Sequence, residues 1–439
     1  MQRVVEYFNF GPATSLPGEV STNFWRREVL AGLTTFLAMA YITVVNPAML
    51  SETGMDFGGV FVATCLAAAF GSILMGLLGN YPVGLAPGMG QNAFFTYAVV
   101  LGMGHPWQTA LGAVFLSGVL FVALSLLPFR EWLINAIPRN LKLGISAGIG
   151  LFLGIVALSN AGVVVDNPAT LVSLGDLTAF EPLMCLLGFV LIAALSQRGV
   201  TGAVVIGIIA VSAAGWLLGE VEFKGVVAMP PSPAPVLMQL DIAAAFDISM
   251  ITVILTMLLV DVFDTAGTMV GVANRAGLVR ADGSLPRLGK ALLADSGATL
   301  GGALLGTSST TSYIESAAGV EAGGRTGVTA IVCGAAFLLC LLFSPLAQSV
   351  PAYATAAALL FVACLMARSL ADVDWGDHSE SAPAVITALA MPLGYSIADG
   401  IGLGFIAYAG IKLLNSQYRE CPPVVYLVAG IFVLKFAFL

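Results

Sequence analysis

Charge is scarce in this 439-residue chain: Asp, Glu, Lys and Arg together make up 10% of it, against about 25% in soluble globular proteins. So little charge cannot clothe a water-exposed surface, which excludes the soluble domains that the length alone would allow. Histidine is scarcer still. The two present, His105 and His378, fall in separate predicted loops, which excludes a metal site or a nucleophile–histidine pair built from both. The six cysteines have no CxxC spacing and lie mostly within apolar runs, so they read as small buried hydrophobes rather than disulfides or metal ligands. A net charge of −8 offers no basic face for nucleic acid. There is no P-loop. GMGQNA at Gly88–Ala93 loosely matches a dinucleotide fingerprint but lies inside a predicted membrane span, not in a soluble βαβ unit, and no cofactor is expected. Met1–Phe24 mixes charge, proline and polar residues without an apolar core, so no cleavable signal peptide is expected.

What the chain has instead is apolar length. Hydrophobic residues are 58% of it, and at about 20 residues per crossing they allow about a dozen transmembrane helices in a lipid bilayer. Fourteen runs stand out, at 28–50, 58–80, 81–101, 106–128, 140–160, 181–197, 200–218, 246–273, 289–306, 308–321, 326–348, 350–369, 382–397 and 399–416. A last stretch, Val424–Leu439, is either a fifteenth crossing or a hydrophobic helix laid against the bundle. Lys and Arg gather in cytoplasmic loops. With fourteen spans and a cytoplasmic N-terminus, fifteen of the seventeen basic residues fall inside, from Arg3, Arg26 and Arg27 through Arg130 and Arg139 to Lys412 and Arg419. Only Lys224 falls outside, and Lys435 lies in the last stretch. The acids Glu52, Asp56, Asp166, Asp176, Glu220, Glu222, Asp241 and Asp247 fall on external loops. A multi-pass protein of the cytoplasmic (inner) membrane is expected.

The two halves share a plan. The first has a span ending Val45-Asn46-Pro47, an apolar span, then a glycine-broken one, LAPGMGQN from Leu85 to Asn92. After an odd number of crossings the second has a long span carrying Asp261 and Asp264, an apolar span, and another broken one, GTSSTTSY from Gly306 to Tyr313. Seven spans per half means opposite orientations. Inverted repeats with paired broken helices point to a secondary transporter with its site near the bilayer midplane.

A carboxylate at the centre of a membrane helix costs about 2.5–3.5 kcal/mol on insertion scales. Asp261 and Asp264, three residues apart, share a helix face and are expected to turn into a polar cavity, where they would not ionise independently. A proton-coupled carrier needs such a pair; the alternative is a pair satisfied by neighbouring Ser and Thr hydroxyls. The Gly/Ser/Thr run before Glu315 is unsuited to a helix and cannot meet lipid with its backbone bare. It is expected to pair with the segment around Pro87 and Gly90, with half-helices starting near Asn92 and near Glu315. Their N-termini offer free N–H groups and a positive dipole end, which makes Glu315 the fixed anion, unless it only caps a kinked packing helix. Asp372–Glu380 reads as a solvated loop. Asp399 reads as either a cavity residue or an interfacial cap.

Five motifs together resemble the AzgA-like purine permeases of the nucleobase–cation symporter-2 (nucleobase–ascorbate) superfamily: GLTTFLAMAYITVVNP from Gly32 to Pro47, GLAPGMGQNAFFT from Gly84 to Thr96, DVFDTAGT from Asp261 to Thr268, GTSSTTSYIESAAGV from Gly306 to Val320, and GGRTG from Gly323 to Gly327. The resemblance implies an all-α UraA-like fold of fourteen helices in a 7+7 inverted repeat, with spans 3 and 10 broken at the midplane. It implies a core domain (28–128 and 246–348) and a gate domain (129–220 and 350–418), flanked by a cytoplasmic segment 1–27 and a hydrophobic tail 422–439. It also implies proton symport of a purine base such as hypoxanthine, guanine or adenine. The base would be held by Asp261 and Glu315, with Gly90 and Asn92 of span 3 in support and Asp261 and Asp264 coupling the proton. Gln91 stands where leucine is more usual. Phe94, Phe95 and Tyr313 are candidates to stack on the base. Relatives of this fold often form homodimers, though no residue run marks an interface. An enzyme would need a nucleophile, metal set or acid–base pair that is not placed here, and an anion exchanger would favour a basic residue at the half-helix site.

Overall fold

The computed structural model describes residues 21–126, 137–280, 285–417 and 419–438; Arg3, Arg130 and most of segment 1–27 lie outside them. The first span is two helices, α1 (Ser21–Met39) and α2 (Ile42–Ser51). Pro47 inside α2 has no N–H for the carbonyl one turn back, and Thr43 bonds with both its N–H and its hydroxyl to Ala40 O, at 3.1 and 2.7 Å. The span is interrupted at Ala40 and Tyr41. Span 2 is α3 (Phe57–Leu74), capped by Asp56, whose Oδ2 accepts from Gly59 N at 2.7 Å. Span 3 is a short strand, β1 (Leu85–Pro87), then α4 (Met89–Ala93) continuing as a π-helix over Phe94–Gly102. Next come α5 (Trp107–Leu126), α6 (Arg139–Asn160), α7 (Phe180–Gln197) and α8 (Ala203–Leu218).

The second half repeats the plan. After the single turn α9 (Ile242–Ala245) run α10 (Ile248–Arg275), α11 (Leu288–Leu305), the strand Thr310–Ser312 and α12 (Ser316–Glu321). Then come α13 (Gly327–Cys340), α14 (Ser344–Gln348), α15 (Ala352–Ala367), α16 (His378–Gly394), α17 (Ile397–Leu414) and α18 (Pro423–Phe438). Among the described residues, nine helices are long and apolar enough to cross a membrane. One element was not expected. Between α6 and α7, β2 (Val164–Asn167) and β3 (Leu171–Leu174) form an antiparallel hairpin, legible in retrospect from Asn167-Pro168 between two short β-prone runs.

The helices gather in two groups. α13 packs on α1 and α3, and α11 on α3 and α5; elsewhere α6 packs on α15 and α16, and α7 on α8 and α15. The groups meet along a narrower seam, where α4 touches α6 and α10 touches α17. In the first group a buried carboxylate holds a helix start: Glu28 accepts from Arg325 N at 3.1 Å, Thr326 N at 3.3 Å and Thr329 Oγ1 at 2.5 Å.

Two ion pairs dock the tail on the preceding helix. Glu420, just before α18, lies 3.5 Å from Lys412 at the end of α17, while Lys435 lies 2.6 Å from Asp399 at its beginning. α18 is therefore antiparallel to α17 along nearly its whole length. At about 1.5 Å per residue its sixteen residues are about 24 Å long, shorter than a hydrocarbon core about 30 Å thick. Asp399 is not the cap of α17, because that place is held by Ser396, whose hydroxyl accepts from Asp399 N; its carboxylate pairs with Lys435 instead.

Candidate functional site

The two broken spans meet as expected. The strand Thr310–Ser312, here β4, pairs antiparallel with β1 in the register Leu85↔Ser312, Ala86↔Thr311, Pro87↔Thr310. Every residue from Thr307 to Ser312 is buried, so each backbone group needs a partner. Ser72 Oγ accepts from Leu85 N at 2.9 Å and donates to Leu85 O at 3.1 Å. Gly84 N donates to Ser316 Oγ at 3.0 Å, Tyr313 N to Gly84 O at 3.0 Å, and the Tyr313 hydroxyl to Pro87 O. Side chains of neighbouring helices thus replace the water that would solvate such strands outside a membrane.

The half-helices leave this crossing. The first begins at Met89, three residues before Asn92, because extended Gly88 ends the strand directly. The second begins at Ser316 with Glu315 in the capping position, but the Glu315 side chain makes no capping bond. It accepts instead from Tyr41 Oη at 2.8 Å, across the interruption of span 1.

Asp261 and Asp264 go different ways. Asp261 is fully buried; its Oδ2 lies 2.9 Å from Thr299 Oγ1, and its Oδ1 takes a long contact of 3.4 Å from Gln91 Nε2. The Thr299 hydroxyl is also 3.0 Å from Thr310 O, and its single proton serves one acceptor at a time. Asp264 is exposed, and it heads a stripe on α10 with Gly267, Gly271 and Asn274. The stripe has helical spacing and reaches the Arg275 end of the helix. The aspartates share a face only in part: three residues turn the helix by about 300°, which leaves Asp261 buried and Asp264 exposed.

A third aspartate joins them. Asp295 of α11 is fully buried and accepts from Thr265 Oγ1 at 2.6 Å and Ser312 Oγ at 2.8 Å, while Thr265 also lies 2.9 Å from Thr311 Oγ1. The signal was in the sequence, a lone acid within the apolar run 289–306, and it qualifies by the same desolvation argument as Asp261. The inverted repeat reproduces the contact. Thr64 and Asp295 are both the eighth residue of matching eighteen-residue helices. Asn46 donates to Thr64 Oγ1 at 2.7 Å, as Thr265 donates to Asp295 Oδ2 at 2.6 Å, and Asn46 also reaches Thr307 Oγ1 of the other half at 3.0 Å.

The span 3 residues are placed as follows. Asn92 is fully buried, and its Oδ1 accepts from Ser308 Oγ, which ties the first half-helix to the other broken span. Gly90 faces α6: a Cβ there would meet Ile149 Cγ2 at 2.7 Å. Gly88 is required at the crossing, because a Cβ would overlap the Gln91 amide and reach 2.7 Å from Thr311 Cγ2. Phe94, Phe95 and Tyr313, the candidate stacking residues, are buried in the core; Tyr313 is held there by its hydrogen bond to Pro87 O.

Polar side chains bridge the two helix groups at the end of α2. Tyr97 Oη donates to Glu52 Oε1 at 2.9 Å, and Asn160 Nδ2, from the last residue of α6, reaches Glu52 Oε1 and Tyr97 Oη, both at 3.1 Å. Away from the site, Asp372–Glu380 is a solvated loop only in part. Asp377 caps α16, and hydrogen bonds from Ser379 hold its carboxyl below the usual carboxylate range. This puts Glu380 in the first helical turn, where it accepts from Tyr408 Oη at 2.8 Å and Asn140 Nδ2 at 3.1 Å and pairs with buried Lys412 at 3.1 Å.

Comparison with known proteins agrees with this architecture. A Permease family model (Xan_ur_permease) matches residues 26–403. The chain is 49% identical over 414 residues to adenine permease AdeP of Escherichia coli (strain K12), covering 94% of this chain and 93% of that protein. It is 46% identical over 433 residues to guanine/hypoxanthine permease PbuG of Bacillus subtilis (strain 168), covering 96% and 98%. Among solved structures, the transmembrane domain of the cyanobacterial bicarbonate transporter BicA superposes with a TM-score of 0.68 at 15% identity, covering 86% of this chain and 97% of that one. SLC26A9 gives 0.66 at 11%, covering 94% and 69%; these two share the fold alone. This all-α, multi-pass architecture with crossed broken helices is UraA-like, and the chain is a transporter, not an enzyme: it belongs to the Permease family, as its resemblance to the AzgA-like purine permeases implies.

Proposed function

We propose that this protein carries a purine nucleobase, such as hypoxanthine, guanine or adenine, together with a proton across the cytoplasmic membrane, with its N-terminus in the cytoplasm. The observation that carries this reading is the set of four acids, Asp261, Asp264, Asp295 and Glu315, gathered at the strand crossing. A neutral base rich in N–H donors suits such a site, whereas an anion would meet repulsion from it. The names of the relatives, adenine permease and guanine/hypoxanthine permease, point the same way.

In this reading the base enters by the Asp264 stripe and donates an N–H to Glu315, beside Gly90 of the first half-helix. Asn92 acts from behind, by holding that half-helix to Ser308. The proton resides on the aspartates. A protonated Asp261 donates to Thr299, which frees the Thr299 hydroxyl for Thr310 O and so links protonation to the crossing strands. The core, 28–128 with 246–348, moves against the gate, 129–220 with 350–418, in an elevator-like or rocking step. The Glu52–Tyr97–Asn160 bridge closes the external end while the stripe is open.

Uptake of labelled purines into cells, with and without a protonophore, tests the reading. Glu315→Gln is expected to abolish accumulation while the protein still inserts in the membrane. Wild-type accumulation by that variant, or accumulation unaffected by the protonophore, defeats the assignment.

A further inference from the structure

We propose that Tyr41 is a positioning residue for Glu315, setting the affinity for the transported base. The inference rests on the nucleobase reading above and deepens it. Tyr41 is buried, and its ring is fixed at the interruption of span 1. Its hydroxyl donates to Glu315 Oε1 at 2.8 Å. A glutamate that makes no capping bond to its own helix is thereby held in one orientation, with Oε2 left for a donor on the substrate.

The inverted repeat gives the contact a counterpart. Asn46 and Thr265 hold equivalent places, as their paired contacts to Thr64 and Asp295 show. Counting back five residues from each sets Tyr41 against Val260, one residue from Asp261. Asp261 in turn touches Gln91 of the first half-helix. Each repeat therefore sends one side chain from its first span to the half-helix of the other repeat, Asp261 to Gln91 and Tyr41 to Glu315. Tyr41 thus belongs to the site and not merely to the packing of span 1. A carboxylate already fixed by a buried phenol loses little side-chain freedom when the base arrives, and that saving appears as affinity.

The test is a KM-against-kcat comparison for uptake of the base that the wild type transports best. A hydrogen bond to a charged group contributes enough that Tyr41→Phe is expected to raise KM about tenfold. The kcat per transporter in the membrane stays within about threefold, because the moving seam is untouched. A lesion in packing would instead lower kcat or the amount of folded protein at unchanged KM. Incorporation of 3-fluorotyrosine at position 41 covers the case in which Tyr41→Phe does not accumulate. The fluorinated phenol is a stronger donor of nearly the same size, and KM is expected to fall below the wild-type value. An unchanged KM in either variant, beside a wild type that transports purines, overturns the role of Tyr41 alone. A wild type that transports no purine overturns the nucleobase reading, and this inference with it.

Discussion

Asp295 offers the sharpest test of how the buried acids are held, through two substitutions, one that removes the carboxylate and one that replaces it with an amide. In Asp295→Ala the hydroxyls of Thr265 and Ser312 both lose their acceptor. Thr265 has a second partner 2.9 Å away in Thr311 Oγ1, so it can redirect its proton, and the lasting defect is one orphaned hydroxyl at Ser312. Leaving one buried polar group unsatisfied costs about 1–3 kcal/mol, and in membrane proteins such bonds fall toward the low end, about 0.6–1.7 kcal/mol. Loss of about 1–2 kcal/mol is therefore expected for alanine. Asparagine keeps one acceptor oxygen for Ser312 and presents its amide to Thr265, which can accept once its own proton turns to Thr311. Asp295→Asn should then cost under about 1 kcal/mol. Steric-trap unfolding in bicelles measures both differences, and equal stability of the two variants refutes the hydrogen-bond account. Uptake separates structure from chemistry: an asparagine variant that folds like the wild type yet no longer accumulates base assigns Asp295 to the proton, and one that accumulates normally removes it from the coupling set.

Two further outcomes follow from close contacts. Gly88→Ala drives a methyl to 2.7 Å from Thr311 Cγ2 and into the Gln91 amide, so it should destabilise the crossing by about 1–3 kcal/mol and cut uptake; a thermal-unfolding scan with unchanged midpoint would count against the packing shown. Asn160→Ala removes the one group in the Glu52–Tyr97–Asn160 bridge that comes from α6, and thiol labelling of a cysteine at Ala161 should quicken while that of one at Gly267 slows, with unchanged rates at both places opposing the bridge as a closure.

Much of this was legible in the residues. The apolar runs placed the spans, because a helix with every backbone group bonded internally is the cheapest way to cross lipid, and proline and glycine marked where spans break. The crossing of β1 and β4 followed from the same rule applied to a Ser/Thr-rich stretch that cannot be helical. The direction of each side chain was not legible. That Asp261 turns inward and Asp264 outward depends on which neighbours α10 meets, and the stacking aromatics proved to be core for the same reason. Asp399 and Lys435 lie far apart in sequence, and only the docking of α18 made them a pair.

By itself, then, the sequence determined that the chain is a membrane transporter built of two inverted halves, since hydrophobic length, charge placement and motif order are local properties. The tertiary structure alone decided that Tyr41 holds Glu315, that Asp295 belongs with Asp261, and that Asn92 serves the crossing through Ser308. Those contacts join residues from spans distant along the chain, and their geometry comes from the packing of whole helices, which no local pattern encodes.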